Sequence, residues 1–242
     1  MADPAFDGDV ARAQAIYQQL GPWIDRYHGG LPAGVLASFI LHESGGDFSA
    51  PGDASLGEIG FLQVAAYVPE LFGYDADART DPESNVAIGS LEYALEAAYW
   101  ALQVPEVMLG SADSWKLARL AFAVGRAGSR QLAAQARQAL GGLTAGDVYH
   151  DIVHYVTTAG GTPLGSQSAA TVAKRVVDID RQWAIGQAVS NDLPGYPMYV
   201  PDPPAGPYTI PNDAEGYFVQ PISGTMLIIV GGALLAYLLY TR

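Results

Sequence analysis

Between Leu31 and Gln63 an apolar run gives way abruptly to polar residues and glycine, and that junction constrains the fold more than any other feature of the chain. Val35, Leu36, Phe39 and Ile40 recur at helical spacing, which predicts a helix with a face buried in a core. Pro32 suits a first helical turn. His42, Glu43 and Ser44 end the apolar face, and Gly45 and Gly46 supply a C-terminal stop. A carboxylate is thereby carried on a packed helix end beside apolar side chains. Surroundings of that kind favour the protonated, proton-donating form of a carboxyl group, so Glu43 is the candidate general acid.

The second half of the stretch adds binding chemistry. Ser55, Gly57, Gly60, Phe61, Leu62 and Gln63 make a turn-rich segment whose glycines let backbone approach a ligand, while Ser and Gln can hydrogen-bond a polar, uncharged substrate. Taken together, Glu43-Ser44-Gly45-Gly46, then Ser55, then Gly57-Glu58-Ile59-Gly60-Phe61-Leu62-Gln63 resemble the first two motifs of the soluble lytic transglycosylase domain, whose members are relatives of goose-type lysozyme and cleave peptidoglycan.

Length and charge bound the rest. At 242 residues, half of them hydrophobic, the chain can bury one good core and still carry appendages. A net charge of -13 argues against a nucleic-acid surface and against electrostatic docking to anionic lipid. No cysteine is present, which removes disulfides and thiolate metal sites. Met1 to Asp9 is acidic and lacks the basic and apolar regions of a secretory signal, so delivery to a cell wall is expected by another route.

Helices are expected from Val10 to Tyr27, from Pro82 with Asp81 as its cap, from Ser114 to Ala123, from Gln131 to Leu140, around Tyr149 to Val156, and from Ser168 to Val189. The segment from Gln63 to Asp81 reads as an irregular surface loop. The resemblance extends through these helices, over about Leu31 to Val156, and it implies a mainly α, lysozyme-like domain at 1–157. It places Asn85 where the family has an Asn soon after Asp-Pro. It also exposes a departure: Ala121-Phe122-Ala123-Val124-Gly125 stands where the family shows Ala-Tyr-Asn-Ala-Gly, so a hydroxyl and an amide are missing. Gly125, Arg126 and Gly128 are expected to form a flexible exit. Tyr149 matches the family's fourth motif, although Ala145 replaces an expected acid. It reads either as a wall of the sugar groove or as a core tyrosine with a satisfied hydroxyl.

The implied mechanism uses Glu43 as catalytic acid and then base at the MurNAc–GlcNAc β-1,4 bond. Ser44, Ser55, Gly60, Phe61, Gln63, Phe122 and Tyr149 are implied to bind substrate, with neither cofactor nor metal. His42 reads as a surface or packing residue and Glu58 as an exposed loop acid. His150 and His154, four apart on one helix face, raise a competing metallohydrolase reading, and the losses at Phe122 and Ala123 raise a third, a degenerate wall-binding component.

Beyond 157 the character changes. A linker and amphipathic helix are expected over 158–192, the helix either packing back on the domain or binding a partner. Eight prolines from Pro194 to Pro221 predict an extended spacer over 193–221. Residues 222–240 are free of charge and strongly apolar. At about 1.5 Å per residue they nearly span a hydrocarbon core of about 30 Å, which predicts a single transmembrane helix. Buried packing among the subunits of an assembly is the alternative. The expected partners are peptidoglycan strands, a lipid membrane and virion structural proteins, and no nucleic acid. The expected setting is a phage or virus particle that opens the host wall during genome delivery, or else a bacterial membrane with the domain facing the wall.

Overall fold

The structure is a computed structural model that describes backbone and side chains for residues 3–158, 163–165 and 167–191. These residues are mainly helical, as expected, and hold two isolated bridges; beyond them backbone alone is described, in four short strands, β1 (Tyr208–Thr209), β2 (Tyr217–Ile222), β3 (Thr225–Val230) and β4 (Ala233–Tyr237), paired antiparallel in that order. The stretch expected as a membrane helix, 222–240, is crossed by β3 and β4, whose antiparallel pairing makes the backbone there a hairpin and not a helix, while most of the spacer expected over 193–221 lies outside the described residues. No helix among them is long and apolar enough to cross a membrane. The chain divides into two compact units, one holding the residues up to Glu92 with the end of the last helix from Ala188, the other Tyr93–Gln187.

In the first unit, α1 (Pro4–Tyr27) starts six residues earlier than its apolar spacing predicts. The Asp3 side chain accepts the Ala5 N–H at 3.0 Å, and Pro4 occupies the first turn, where a missing N–H costs nothing. A stripe of Ala13, Ile16, Tyr17, Leu20 and Ile24 faces the core. The second helix, α2 (Ala33–Ser44), is buried along Val35, Leu36, Ala37, Phe39 and Ile40, so it forms the centre of the unit rather than one side of it. It ends at Gly45, left-handed at φ 66°, whose N–H closes on the Leu41 carbonyl at 3.0 Å. Gly46 follows at φ 82°, and a Cβ there would stand 2.8 Å from Ile16. Only glycine therefore lets α1 lie against this helix end.

The expected loop from Gln63 to Asp81 contains a short helix, α3 (Val68–Leu71), and a 3-10 turn (Ala76–Thr80) before α4 (Pro82–Gln103) begins. Asp81 caps α4, accepting the Ser84 N–H at 2.9 Å.

The second unit is built on α5 (Ala112–Val124), α6 (Arg126–Leu140), α7 (Val148–Thr158) and the greater part of α8 (Ala169–Asn191). Leu117, Leu120, Leu132, Ala136, Tyr149, Ile152, Val172, Val176 and Ile179 share one core. The amphipathic helix after 158 is thus packed with the helices before it. Asp113, buried on α5, caps α7 from a distance by accepting the N–H groups of Val148 and Tyr149 at 3.2 and 2.7 Å. The flexible exit expected at Gly125 to Gly128 is instead a one-residue corner. Gly125 turns at φ 79°, α6 starts at once, and a Cβ on Gly128 would stand 3.0 Å from Leu164.

Candidate active site

Glu43 sits in the last turn of α2 and is half-buried, on a helix whose run from Gly34 to Ile40 is buried in the core. Its neighbour Ser44 is spent on the fold. The Ser44 hydroxyl donates to the Ile40 carbonyl at 3.2 Å and accepts the Gly46 N–H at 3.2 Å, bracing the helix end rather than lining a groove. His42 is exposed, as expected.

Two Asp–Ser turns follow. Asp47 accepts the Ser49 N–H and hydroxyl at 2.8 and 2.7 Å, and Asp53 accepts those of Ser55 at 2.8 and 2.6 Å. The Ser55 hydroxyl holds the Asp53 carboxyl below the usual carboxylate range. Ser55 is exposed, but its hydroxyl hydrogen bond is donated to Asp53, so toward a ligand its oxygen is left to accept.

The Gly-x-x-Gly-x-x-Gln segment is a small hairpin closed by Ile59 and Val64, which exchange backbone bonds at 3.3 and 2.9 Å. One side chain holds it in place. Asn85, fully buried on α4, donates to the carbonyls of Ile59 and Arg79 at 3.0 and 3.1 Å, and its Oδ1 accepts the Leu62 N–H at 3.1 Å. Gly60 lies so close to this amide, at φ 84°, that any Cβ would overlap it. Arg79 adds a second clamp, donating to Val64 O at 3.1 Å and also to Gly57 O. The Phe61 ring is buried edge-on against Phe48, centroids 5.1 Å apart, so only its backbone is left to face a ligand.

Gln63 is the hairpin's strained member. Among the described residues it is the one non-glycine at positive φ, 50°. Its Nε2 donates to Gly60 O at 2.8 Å and to Ala50 O at 3.4 Å, while its buried Oε1 has no hydrogen-bond partner among the described residues. Outliers of this kind cluster at functional sites, which makes Gln63 a candidate.

Glu58 is not the exposed loop acid expected from its neighbours. It is half-buried, and its Oε2 accepts the Asp53 N–H at 3.1 Å. Burial, more than any other cause, pushes its carboxyl up from the ordinary value. The Asp53 N–H opposes that rise, and the charges of Glu43 and Asp53 add to it. Glu43 and Glu58 are thus electrostatic neighbours. A Cβ on Gly52 would overlap Gln63 Oε1 and stand 2.6 Å from Glu58 Cβ, so Gly52, Glu58 and Gln63 are also packed together. Two carboxyl groups and an unspent amide oxygen belong to one neighbourhood.

Phe122 and Tyr149 belong to the second unit. Phe122 stacks on Tyr93, centroids 4.0 Å apart, and the Tyr93 hydroxyl accepts a bond from buried Arg119 at 3.3 Å. Tyr149 is fully buried and its hydroxyl donates to the Val176 carbonyl. Of its two readings, the core tyrosine is the one observed, and a wall of a groove is not. Its burial raises the phenol well above the ordinary value. The His150 and His154 pair gains no third ligand: His150 is held by Asp147 and lies 3.3 Å from Asp180, His154 is exposed, and no group of three or more such side chains among the described residues could hold a metal. No protein-family model, curated protein or solved structure matches this chain.

Proposed function

We propose that the chain is a peptidoglycan-cleaving lytic transglycosylase with a lysozyme-like domain, Glu43 serving as acid and then base. The observation that carries this reading is a half-buried glutamate at the end of a core helix, electrostatically coupled to Glu58, which packs with Gln63, whose buried Oε1 has no partner among the described residues, in a hairpin clamped by Asn85. That oxygen is an acceptor for an amide N–H, and an N-acetyl sugar brings one. Glycine-lined backbone at Gly57 and Gly60 suits an uncharged, hydroxyl-rich strand.

In this mechanism Glu43 gives its proton to the glycosidic oxygen as the C1–O bond breaks, and the electron pair leaves with that oxygen. The substrate's own N-acetyl oxygen stabilises C1. The Glu43 carboxylate then takes the proton of the C6 hydroxyl while O6 bonds to C1, which gives the 1,6-anhydro ring and returns Glu43 to its starting form. No water is consumed. Ser55 contributes an acceptor, and the backbone of Gly60 and Phe61 lines the strand. The setting of the reading is a virus particle that opens the host wall, with residues 222–240 engaging lipid.

Glu58 favours a second reading. A second carboxyl group near the first can activate water, and the enzyme would then be a hydrolase that leaves a reducing end. Mass spectrometry of soluble products from purified peptidoglycan, with the full chain and with Glu43→Gln, separates the two. Anhydro-ended products that vanish in Glu43→Gln are expected. Reducing-end products that depend on Glu43 mean hydrolysis, and equal clearance by both proteins removes Glu43 from its role.

A further inference from the structure

Arg126, Arg130 and Arg137 are spaced four and seven apart on α6, so all three share one face of that helix. On a chain with 25 acidic and 12 basic side chains, such a stripe is out of keeping with the rest of the surface. Two of the three are neutralised. Arg126 Nε lies 2.7 Å from the Glu96 carboxylate and Arg137 Nη2 lies 2.8 Å from that of Glu106. Arg130 is exposed, has no carboxylate partner among the described residues, and stacks 4.2 Å from the centroid of the Tyr99 ring.

Beside it opens a cleft of about 320 Å³ within the second unit, lined by Tyr99, Trp100, Val104 and Leu143 together with Arg130 and Arg137. Its size falls at the small end of the range for ligand sites. Trp100 is 1% exposed, and its indole N–H has no hydrogen-bond partner among the described residues. Buried donors are normally satisfied, so an unsatisfied donor on a residue that lines a cleft is one that a bound acceptor would complete. A guanidinium not paired with acid, an indole N–H and apolar walls together suit a singly charged, planar oxyanion on an apolar body. A carboxylate meets a guanidinium fork through two oxygens and carries one charge, which matches the one unneutralised arginine.

We propose that this cleft binds the carboxylate of a short peptide with small aliphatic side chains. The identity of the peptide rests on the preceding reading, since a cell-wall glycan strand carries short peptides with free carboxylates and alanine methyl groups. The cleft is then a second recognition site, reading the peptide while the Glu43 neighbourhood reads the sugar.

The test is calorimetric titration of the full chain with the free peptide N-acetyl-D-Ala-D-Ala, which carries one carboxylate and two alanine methyl groups, and in a parallel arm with inorganic phosphate. Saturable binding at one site is expected, weakened about tenfold or more by Arg130→Gln, partly restored in Arg130→Lys, and declining as salt screens the pair. Arg130 is exposed, so the substitution leaves the core untouched. No saturable binding, or equal affinity in wild type and Arg130→Gln, overturns the proposal. Phosphate binding as tightly as the peptide overturns the assignment to a carboxylate. Glu43→Gln is expected to bind the peptide normally. Binding without glycan cleavage therefore counts against the preceding reading alone, and cleavage without binding counts against this one alone.

Discussion

Replacing Asn85 by Ala should loosen the hairpin that carries Gln63, and the structure sets the size of the effect. The substitution removes three hydrogen bonds at once. The Leu62 N–H is left without an acceptor in a buried setting, at about 1–3 kcal/mol, and the part-buried carbonyls of Ile59 and Arg79 each lose about 1 kcal/mol net. The loss is therefore about 3–5 kcal/mol. For a chain of this length each kcal/mol corresponds to about 2–4 °C, so the unfolding temperature should fall by roughly 6–20 °C, read by far-UV circular dichroism. Hydrogen exchange localises the effect. The Leu62 amide should lose protection at temperatures where the Tyr149 amide, bonded to Asp113 in the other unit, keeps it. A fall of less than about 2 °C with Leu62 still protected would show that Asn85 does not hold the hairpin, and the account of Gln63 would go with it.

Gln63→Gly separates strain from use. It relieves the positive φ, worth about 1 kcal/mol, and forfeits the Nε2 bond to Gly60, worth about the same, so the unfolding temperature should barely move while glycan cleavage falls about tenfold or more. Unchanged cleavage would mean that the Oε1 acceptor serves no ligand. Glu58→Gln carries a pH signature. Because burial raises the Glu58 carboxyl, the folded state binds that proton more readily than the unfolded chain. Wild-type stability should therefore decline as pH rises from the ordinary carboxylate value, about 4.3, through the raised one. Gln carries no such proton, so the variant should gain on wild type across that window and keep the gain at neutral pH. Urea midpoints at both ends of the window test it, and a difference that does not change with pH would contradict the burial of Glu58.

The helices were legible wherever their signals were local. Pro32, Gly45 and the apolar run between them fix α2 to within a residue, and Asp81 with Pro82 fixes the start of α4. Where a boundary moved, a single-residue device moved it: the Asp3 cap at α1 and the Gly125 corner before α6. The site was legible in its residue types and not in their division of labour, because whether a polar atom remains available depends on a partner that spacing does not reveal. The Tyr149 hydroxyl is taken by Val176, 27 positions on, and the Leu62 N–H by Asn85, 23 positions on. Ser44 and Ser55 are consumed closer to home, by Ile40 and Asp53. Subtracting what the fold has already spent changes the ranking of the candidates. Gln63 comes out ahead of both serines and all three aromatic residues, because it combines a backbone conformation that costs stability with a buried Oε1 that has no partner among the described residues. The same subtraction leaves Arg130 as the unneutralised member of the α6 stripe, beside an indole that still has a proton to give.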